Sequence, residues 1–300
     1  MAKIKTLNSI AILMPGDMGH GCATVFRQNG LRVITCLAGR SQRTQALAKK
    51  SGLENLHSLT ELVKNADLIL SILPPEHAVT QAQTLANAMN AANAHPDYVD
   101  CNAISPDTSK KIAMVFDGLP TNFVDAGIIG LNPLKEAGRT RLYVSGRDTA
   151  LVRQLDGRGM VVRDLGPDVG RASAMKMVYA SSTKGAFSLY AAVALMAELT
   201  GLREELFQEL AESQPNTLAS IEKMVPRIPL DAKRWIFEMA EIVKTYESYE
   251  VTPHFHKGAG DIMELANCTP LAAGTRENAP TTDNLAEVLK IYVDTMALDN

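Results

Sequence analysis

The chain has 300 residues, of which 46% are hydrophobic and 21% charged, and its formal net charge is -3. This composition is typical of a globular protein, and the length allows two domains. No stripe of lysine and arginine interleaves with aromatic residues, so a nucleic-acid partner is not expected. The longest apolar run, Ala186–Leu199, contains Ser188 and Glu198 and is shorter than the roughly 20 residues that cross a bilayer, so a membrane span is not expected either.

The cysteines argue against metal and disulfide chemistry. Cys22, Cys36, Cys101 and Cys268 are widely spaced, with no Cys-x-x-Cys pair and no neighbouring histidine cluster. The start of the chain also lacks the charged and apolar segments of a signal peptide. We therefore expect a cytoplasmic protein without a metal site.

Short apolar runs alternate with helical or loop segments through the first half of the chain. These runs predict strands at Ser9–Met14, Leu31–Leu37, Ala66–Leu73, Tyr98–Cys101, Asn122–Asp125, Leu142–Val144 and Met160–Val162. Such alternation is typical of an α/β domain with a doubly wound, mostly parallel sheet.

After Gly166 only helical patterns follow, which predicts an all-α second domain. Ala172–Leu199 has helical spacing and no proline, and at 1.5 Å per residue it would form a helix about 42 Å long. Further helices are predicted at Glu204–Glu212, Thr217–Met224, Leu230–Tyr249, Pro253–Asn267 and Thr282–Leu298. We expect a nucleotide-binding domain over residues 1–166 and an all-helical substrate and dimerisation domain over 167–300.

The turn after the first predicted strand has the features of a dinucleotide site. In the pattern G-x-G-x-x-G, the second glycine lets the backbone approach a pyrophosphate and the third lets helix and strand pack closely. Gly16 and Gly19 occupy those two positions, while Met14 replaces the first glycine. A turn that needs glycine only for packing is the alternative.

The residues after the second strand favour NADP over NAD. An NAD site usually has an acidic residue here to bind the ribose hydroxyls, and none is present near Gly39. Arg40, Ser41 and Arg43 instead offer positive charge and donors for a 2′-phosphate. Two solvated arginines in a loop are the alternative.

Lys176 lies in an apolar helical segment, where an unpaired ammonium is costly. Desolvation lowers the pKa of a lysine toward neutrality, so a lysine that faces a cleft is suited to proton transfer. Reduction of a carbonyl group requires such a residue beside a hydride donor.

Several motifs in order resemble the β-hydroxyacid dehydrogenase superfamily, which includes 6-phosphogluconate dehydrogenase. The motifs that carry this resemblance are Met14–Gly19, Gly39–Thr44, Leu70–Pro75, Val99–Pro106, Val124–Ala126 and Gly170–Lys176. The C-terminal part, from Lys176 through Arg234-Trp235 to Leu271, looks like the branch of 6-phosphogluconate-dehydrogenase-like NAD-binding proteins. The resemblance implies an N-terminal Rossmann domain, a helical second domain and dimers formed through that second domain.

The resemblance also implies roles for individual residues. Lys176 matches the lysine that donates or removes a proton at the substrate oxygen. Leu73 and Pro74 match a segment that lines the cofactor, and Asn102 matches a position near the nicotinamide ribose. The phosphates would be covered by Pro15, Gly16, Asp17, Met18 and Gly19.

The chain departs from the family pattern beside the substrate. Relatives have Ser-Gly-Gly after the Asp-Ala strand end, whereas this chain has Gly127 to Leu131, so that Ile129 and Gly130 would face the substrate without a serine hydroxyl. Where relatives have an asparagine after the lysine, this chain has Tyr179 and Ala180. Tyr179 and Thr183 continue the Lys176 face of the helix, and a core tyrosine is the alternative for Tyr179.

Two further lysines are weaker candidates. Lys184 lies two turns beyond Lys176, so it would reach the same cleft or extend into solvent, and we expect solvent. Lys257, next to His256, would approach an anionic ligand from a late helix. His254 and His256 are two residues apart, which is poor spacing for a shared metal on a helix.

These observations predict an NADP-dependent oxidoreductase that moves hydride between nicotinamide and a small hydroxy acid or sugar-acid alcohol or carbonyl. A non-catalytic NADP(H) sensor and an imine reductase are the alternatives. A methyltransferase using S-adenosylmethionine is disfavoured by Arg40 and Arg43. The apolar helix Ala186–Leu199 predicts a homodimer.

Overall fold

The computed structural model of the protein describes residues 5–135, 138–274, 277–278, 282 and 284–298. The chain separates into two compact units, the first ending at Met177 and the second beginning at Val178. The division falls inside the long helix Arg171–Leu199, later than the expected boundary after Gly166. The reason is that the first turns of this helix pack against a strand of the first unit, at Gly127.

Among the described residues, eight strands of the first unit form one sheet. They are β1 (Ser9–Ile12), β2 (Arg32–Thr35), β3 (Glu54–Asn55), β4 (Leu68–Ser71), β5 (Asp97–Asp100), β6 (Phe123–Ile129), β7 (Arg141–Ser145) and β8 (Val161–Asp164). Their order is β3-β2-β1-β4-β5-β6-β7-β8. The pairs from β3 to β6 are parallel, β6 pairs antiparallel with β7, and β7 pairs parallel with β8.

Two apolar clusters cover the two faces of this sheet. Every residue of β1 and β4 is buried, which is why these strands read as continuous apolar runs. Ile10 and Ile12 face a cluster that includes Phe26, whereas Ala11 and Leu13 face a second cluster that includes Tyr98. The predicted doubly wound, mostly parallel sheet is confirmed. The exposed two-residue strand β3 was not predicted, because it has no apolar run.

The helices of the first unit connect the strands, and three of them begin at a serine cap. They are α1 (Asp17–Gln28), α2 (Gln42–Ser51), α3 (Leu59–Asn65), α4 (Ala78–Ala92) and α5 (Pro106–Val115). The side chains of Ser41, Ser58 and Ser105 each accept a backbone hydrogen bond at the start of α2, α3 and α5.

The long helix α6 (Arg171–Leu199) begins in the first unit and continues into the second. The helices that follow are α7 (Arg203–Ser213), α8 (Pro215–Met224), α9 (Ile228–Ser248), α10 (His254–Cys268) and α11 (Leu285–Leu298). The predicted all-α region built on one long helix is therefore confirmed. The last helix begins later than predicted, at Leu285. In the described part of the chain, none of the helices has the length and hydrophobicity of a membrane span.

The expectation that Lys184 extends into solvent is wrong. Its ammonium is buried, forms an ion pair with the buried Glu238 of α9 and lies 5.6 Å from the centroid of the Trp235 ring. Arg234 forms a second ion pair with Glu238. A buried charge is tolerated when it is paired with an opposite charge. The apolar residues around Lys184 therefore enclose a buried ion pair and not a solvated side chain.

Candidate active site

The turn between β1 and α1 presents backbone to one end of the sheet. The N–H of Gly16 donates to the Met14 carbonyl at 2.8 Å, and no side chain caps the start of α1. A Cβ atom on Gly19 would lie 2.6 Å from the Met14 carbonyl oxygen, so Gly19 is required for close packing of α1 on this turn. A Cβ atom on Gly16 would meet nothing within 4 Å, so Gly16 borders open space.

The other predicted residues of this turn differ in exposure. Pro15 is buried, Met18 is half-buried and packs against the apolar cluster that includes Phe26, and Asp17 is exposed at the first position of α1. The helix start and the open approach at Gly16 form a place where an anion would meet backbone N–H groups.

The segment after β2 brings two arginines to the same edge of the sheet, because β2 pairs in parallel with β1. Gly39 has a φ of 72°, a left-handed conformation that favours glycine, and Ser41 caps α2. Arg40 is half-buried. Its Nη2 donates to Gln81 Oε1 at 3.2 Å, whereas its Nε is buried without a hydrogen-bond partner.

Arg43 contacts the first turn directly. Its Nη2 donates to Asp17 Oδ1 at 2.7 Å, which joins the start of α2 to the start of α1. The sequence predicts that Arg43 binds the 2′-phosphate and that Asp17 covers the pyrophosphate. These two residues are in contact with each other.

The side chain of Asn102 is buried, and its polar atoms form hydrogen bonds within the protein. Its Oδ1 accepts the Leu73 N–H at 2.6 Å, and its Nδ2 donates to Ser71 Oγ and to Asp100 Oδ2. The side chain is therefore occupied in holding the ends of β4 and β5 together. Leu73 is buried and Pro74 half-buried beside this junction, so Asn102 positions the segment that was predicted to line the cofactor.

Asp100 is a buried carboxyl group in the same junction. Burial raises the pKa of Asp100, the hydrogen bond from the Asn102 N–H lowers it, and the charge of Asp125 raises it again, to about 7. Asp125 is its direct neighbour in the register between β5 and β6.

Lys176 lies near the end of β6. Its Nζ donates to the Ile128 carbonyl oxygen at 2.7 Å, and the side chain is half-buried. A Cβ atom on Gly127 would lie 2.8 Å from the Lys176 Cβ and 3.0 Å from the Ala172 carbonyl oxygen. Gly127 therefore allows α6 to approach β6 closely, and this approach sets the position of the lysine.

Asp125 fixes the start of α6. Its two carboxylate oxygens accept five hydrogen bonds, from the N–H groups of Gly170 and Ser173 and from the hydroxyl groups of Ser109, Ser145 and Ser173. The Ser145 hydroxyl also accepts the Ala172 N–H at 3.0 Å. A carboxylate at a helix N-terminus satisfies unpaired N–H groups and interacts favourably with the helix dipole.

The segment predicted to contact the substrate after β6 is partly a strand. Ile129 is buried and pairs with Arg141 of β7, so its side chain belongs to the core. Gly130 is exposed with a φ of 122°, and there the strand ends.

The predicted substrate residues of the second unit differ in their surroundings. Tyr179 is 40% exposed, which excludes the alternative of a core tyrosine. The Thr183 hydroxyl donates to the Tyr179 carbonyl oxygen at 3.3 Å. Lys257 forms an exposed ion pair with Glu247 at 2.8 Å, and the neighbouring His256 is buried against Tyr246.

Asp125, Ser145, Ser173 and Gly127 were missed as supporting residues. The Val124-Asp125-Ala126 motif was visible in the sequence, but only its register beside Asp100 and the start of α6 shows what the carboxylate holds. Within the described ranges, no three His, Cys, Asp or Glu side chains are grouped so that they could hold a metal ion.

Comparison with known proteins agrees with this arrangement. Residues 9–155 match the family described as the NAD binding domain of 6-phosphogluconate dehydrogenase, and residues 197–266 match a domain of unknown function, DUF1932. An uncharacterized 28.5 kDa protein of Methanothermus fervidus is 29% identical over 229 residues, which cover 76% of this chain and 87% of that protein.

Two solved structures share the fold. The 3-hydroxyisobutyrate dehydrogenase of Mycobacterium tuberculosis has a TM-score of 0.68 at 18% identity, over 95% of this chain and 99% of that one. A reductive aminase of Aspergillus terreus, in complex with NADPH, has a TM-score of 0.55 at 17% identity, over 96% of this chain and all of that one. Residues 9–155 therefore form a domain similar to the NAD binding domain of 6-phosphogluconate dehydrogenase, and the helical region that follows includes a match to DUF1932.

Proposed function

We propose that the protein is an NADP-dependent oxidoreductase that interconverts an alcohol and a carbonyl group in a small hydroxy acid or sugar acid. The observation that carries this proposal is the position of Lys176. Its amine lies at the carboxyl end of β6, on the sheet whose β1 and β2 ends carry the glycine turn and the two arginines. Names of similar proteins, a 3-hydroxyisobutyrate dehydrogenase among them, support this reaction class.

The residues of the first unit fit a dinucleotide phosphate. Open space at Gly16 and the start of α1 would admit the pyrophosphate to backbone N–H groups. The buried, unpartnered Nε of Arg40 would satisfy its hydrogen bond on a 2′-phosphate, with Arg43 and the start of α2 nearby. Leu73 and Pro74, held by Asn102, would border the cofactor beyond β4.

Lys176 would carry the proton in this reaction. Nicotinamide, when bound, supplies or accepts the hydride at the substrate carbon. In reduction the Lys176 ammonium gives one proton to the substrate oxygen, and in oxidation its amine removes that proton from the hydroxyl group. The Ile128 carbonyl accepts a hydrogen bond from Nζ and therefore fixes the direction from which the lysine acts.

The substrate contacts are proposed from the resemblance. The backbone at Ile129 and Gly130 would bind the substrate without the serine hydroxyl that the resemblance implies. Substrate roles for Tyr179, Thr183 and Lys257 are likewise proposed only from the resemblance. Because Lys257 already pairs with Glu247, its contribution requires exchange of that exposed ion pair.

The test is a substitution of Lys176 by methionine, which keeps much of the side-chain volume and removes the amine. Turnover of NADPH with small keto acids should fall by about 10²- to 10⁴-fold, while the dissociation constant of NADPH stays nearly unchanged. Lys290→Met, which breaks an exposed ion pair with Asp294, is the matched control and should leave turnover intact. Full turnover by Lys176→Met, or tighter binding of NADH than of NADPH by the wild type, would contradict the proposal.

A non-catalytic NADP(H) sensor is the second candidate. Gly127 in place of the serine of relatives supports it, because one substrate donor is missing. An imine reductase is the third, supported by the likeness to the reductive aminase. Each keto acid of a panel is tested with and without an amine, which separates the three candidates. A dehydrogenase oxidises NADPH without the amine, an imine reductase only with it, and a sensor in neither case.

We further propose a homodimer formed through the second unit, in the cytoplasm. Leu189, Val193 and Met196 are exposed apolar residues spaced by four and three positions along α6, which supports a contact between copies. The four cysteines are unpaired thiols, three of them buried, which supports a reducing compartment.

A further inference from the structure

The ion pair between Asp17 and Arg43 lies where two parts of a dinucleotide would meet. Asp17 is the first residue of α1, after the turn that would hold the pyrophosphate. Arg43 lies in the first turn of α2, beside the place proposed for the 2′-phosphate. Their contact of 2.7 Å means that a carboxylate of the protein already neutralises one of the two arginines on which the NADP preference depends.

The two cofactors differ only in the 2′-phosphate, which adds about 1.5 to 2 negative charges at neutral pH, as other phosphate monoesters do. The pyrophosphate is common to both. A negative charge on Asp17 therefore opposes both cofactors at the pyrophosphate, whereas an effect through Arg43 concerns NADP alone.

We propose that Asp17 is a cofactor-specificity residue that acts through Arg43. Its carboxylate competes with the 2′-phosphate for the Arg43 guanidinium and so holds the preference for NADP over NAD below the value that Arg40 and Arg43 would give. This inference rests on the proposed NADP-dependent function, because it concerns the strength of that preference.

The exposure of the pair makes such an exchange possible. Both side chains are partly exposed, so the ion pair stabilises the protein only weakly and can be broken at small cost. Asp17 also keeps a favourable interaction with the α1 dipole after Arg43 leaves. A phosphate offers more charge than a carboxylate and two parallel hydrogen bonds to the guanidinium.

The geometry divides the two arginines between different duties. The Nε of Arg40 is buried without a partner, so Arg40 has a hydrogen bond to gain from a phosphate. Arg43 already donates a hydrogen bond to Asp17, which it would exchange for one to the phosphate. Arg40 would therefore supply the basic preference for NADP, and the Asp17–Arg43 pair would adjust its size.

The test measures dissociation constants of NADPH and NADH by equilibrium fluorescence titration of the full chain. The variants are Asp17→Asn, Arg43→Met, the double variant, and Glu54→Gln as a control. Glu54 forms an ion pair of similar exposure with Arg32, at a site that the proposed function does not use. Asp17→Ser repeats the Asp17 substitution with a different side chain.

The measured quantity is the ratio of the NADH dissociation constant to the NADPH dissociation constant. Asp17→Asn and Asp17→Ser should raise this ratio about three- to fivefold, the size expected for an exposed ion pair. Arg43→Met should lower it about tenfold. In the Arg43→Met background, the Asp17 substitution should lower both dissociation constants by the same factor and so leave their ratio unchanged. The control Glu54→Gln should change neither constant.

Two results would overturn the inference while the proposed function survives. One is an unchanged ratio in both Asp17 variants. The other is an equal rise of the ratio with and without Arg43, which would mean that Asp17 acts on the cofactor directly. A wild-type protein that binds neither nucleotide, or prefers NADH, would instead remove the proposed cofactor and the inference together.

Discussion

At the scale of single residues, Gly127 determines how closely β6 and α6 approach. Its hydrogen atom occupies the space between β6 and α6, where a Cβ atom would approach the Lys176 Cβ to 2.8 Å. A larger residue there is compatible only with a helix placed further from the strand. The position of Lys176 therefore depends on glycine at this site.

We predict that Gly127→Ser lowers the free energy of unfolding by about 1 to 3 kcal/mol, because the added atoms overpack the contact between β6 and α6. Chemical denaturation measures this change. Gly258→Ala is the control, because Gly258 lies in α10 with open space at its Cβ position, and alanine should stabilise that helix by up to about 1 kcal/mol. Unchanged stability of Gly127→Ser would show that α6 is free to shift.

Residue identity alone predicted some side-chain positions and not others. The need for glycine at position 19, for close packing of helix on strand, was predicted correctly, since that requirement is local. The burial of Lys184 could not be predicted, because its partner Glu238 lies 54 residues further along the chain. Partners so distant in sequence are defined only by the packing of α6 on α9.

At the scale of secondary-structure elements, the start of α6 depends on Asp125. The carboxylate accepts the N–H groups of Gly170 and Ser173 and is itself held by three serine hydroxyl groups. Since Lys176 is on the second turn of this helix, Asp125 sets the position of the lysine without contacting it through any of these five bonds. Its role is therefore to position α6.

Asp125→Asn should lower the free energy of unfolding by about 2 to 3 kcal/mol, because the amide nitrogen would face donors that the carboxylate now satisfies. Hydrogen exchange should show faster exchange of the Gly170 and Ser173 amides. Asp168→Asn, an exposed aspartate just before the same helix, should have almost no effect. Protection of both amides in Asp125→Asn would contradict this role.

The elements themselves were largely predictable from sequence, because buried parallel strands are continuous apolar runs and α6 lacks proline over 29 residues. β3 was missed because its two residues, Glu54 and Asn55, are exposed polar residues whose pairing depends on β2. β6 was predicted to end at Asp125 but continues to Ile129, where pairing with β7 holds the backbone extended. Pairing with a distant strand has no local signal.

At the scale of the whole molecule, Asp100 links stability to pH. Its pKa is raised by burial to about 7 in the folded protein, against about 3.9 in the unfolded chain. Between these values the unfolded chain loses the proton that the folded protein keeps, so this group makes stability fall as pH rises from about 4 to about 7. Its contribution is complete below pH 4 and is lost above pH 7.

The predicted quantity is the unfolding free energy of Asp100→Asn minus that of the wild type. We expect this difference to rise by up to about 4 kcal/mol from pH 4 to pH 8. The asparagine loses a hydrogen bond to Asn102 at every pH, so only the change with pH is informative. Urea denaturation across this range measures it. A constant difference between the two proteins would show that Asp100 titrates alike in the folded and unfolded states.

The proposed dimer is also a property of the whole molecule. Val193→Glu should place a charge on the exposed apolar face of α6 and convert a dimer to a monomer in sedimentation at micromolar concentration. Glu222→Gln, on α8, is the control, because Glu222 is an exposed residue outside that face. A wild-type monomer at this concentration would contradict the proposal.

Transfer of a labelled hydride distinguishes a dehydrogenase from a protein that only binds NADPH. NADPH carrying deuterium at C4 of the nicotinamide is incubated with the protein and a panel of small keto acids, and the products are analysed by mass spectrometry. We predict a hydroxy acid that has gained one deuterium, and no labelled product from Lys176→Met although that variant still binds NADPH. Bound NADPH with no deuterium transferred to any member of the panel, or equal transfer by Lys176→Met, would contradict a dehydrogenase in which Lys176 moves the proton.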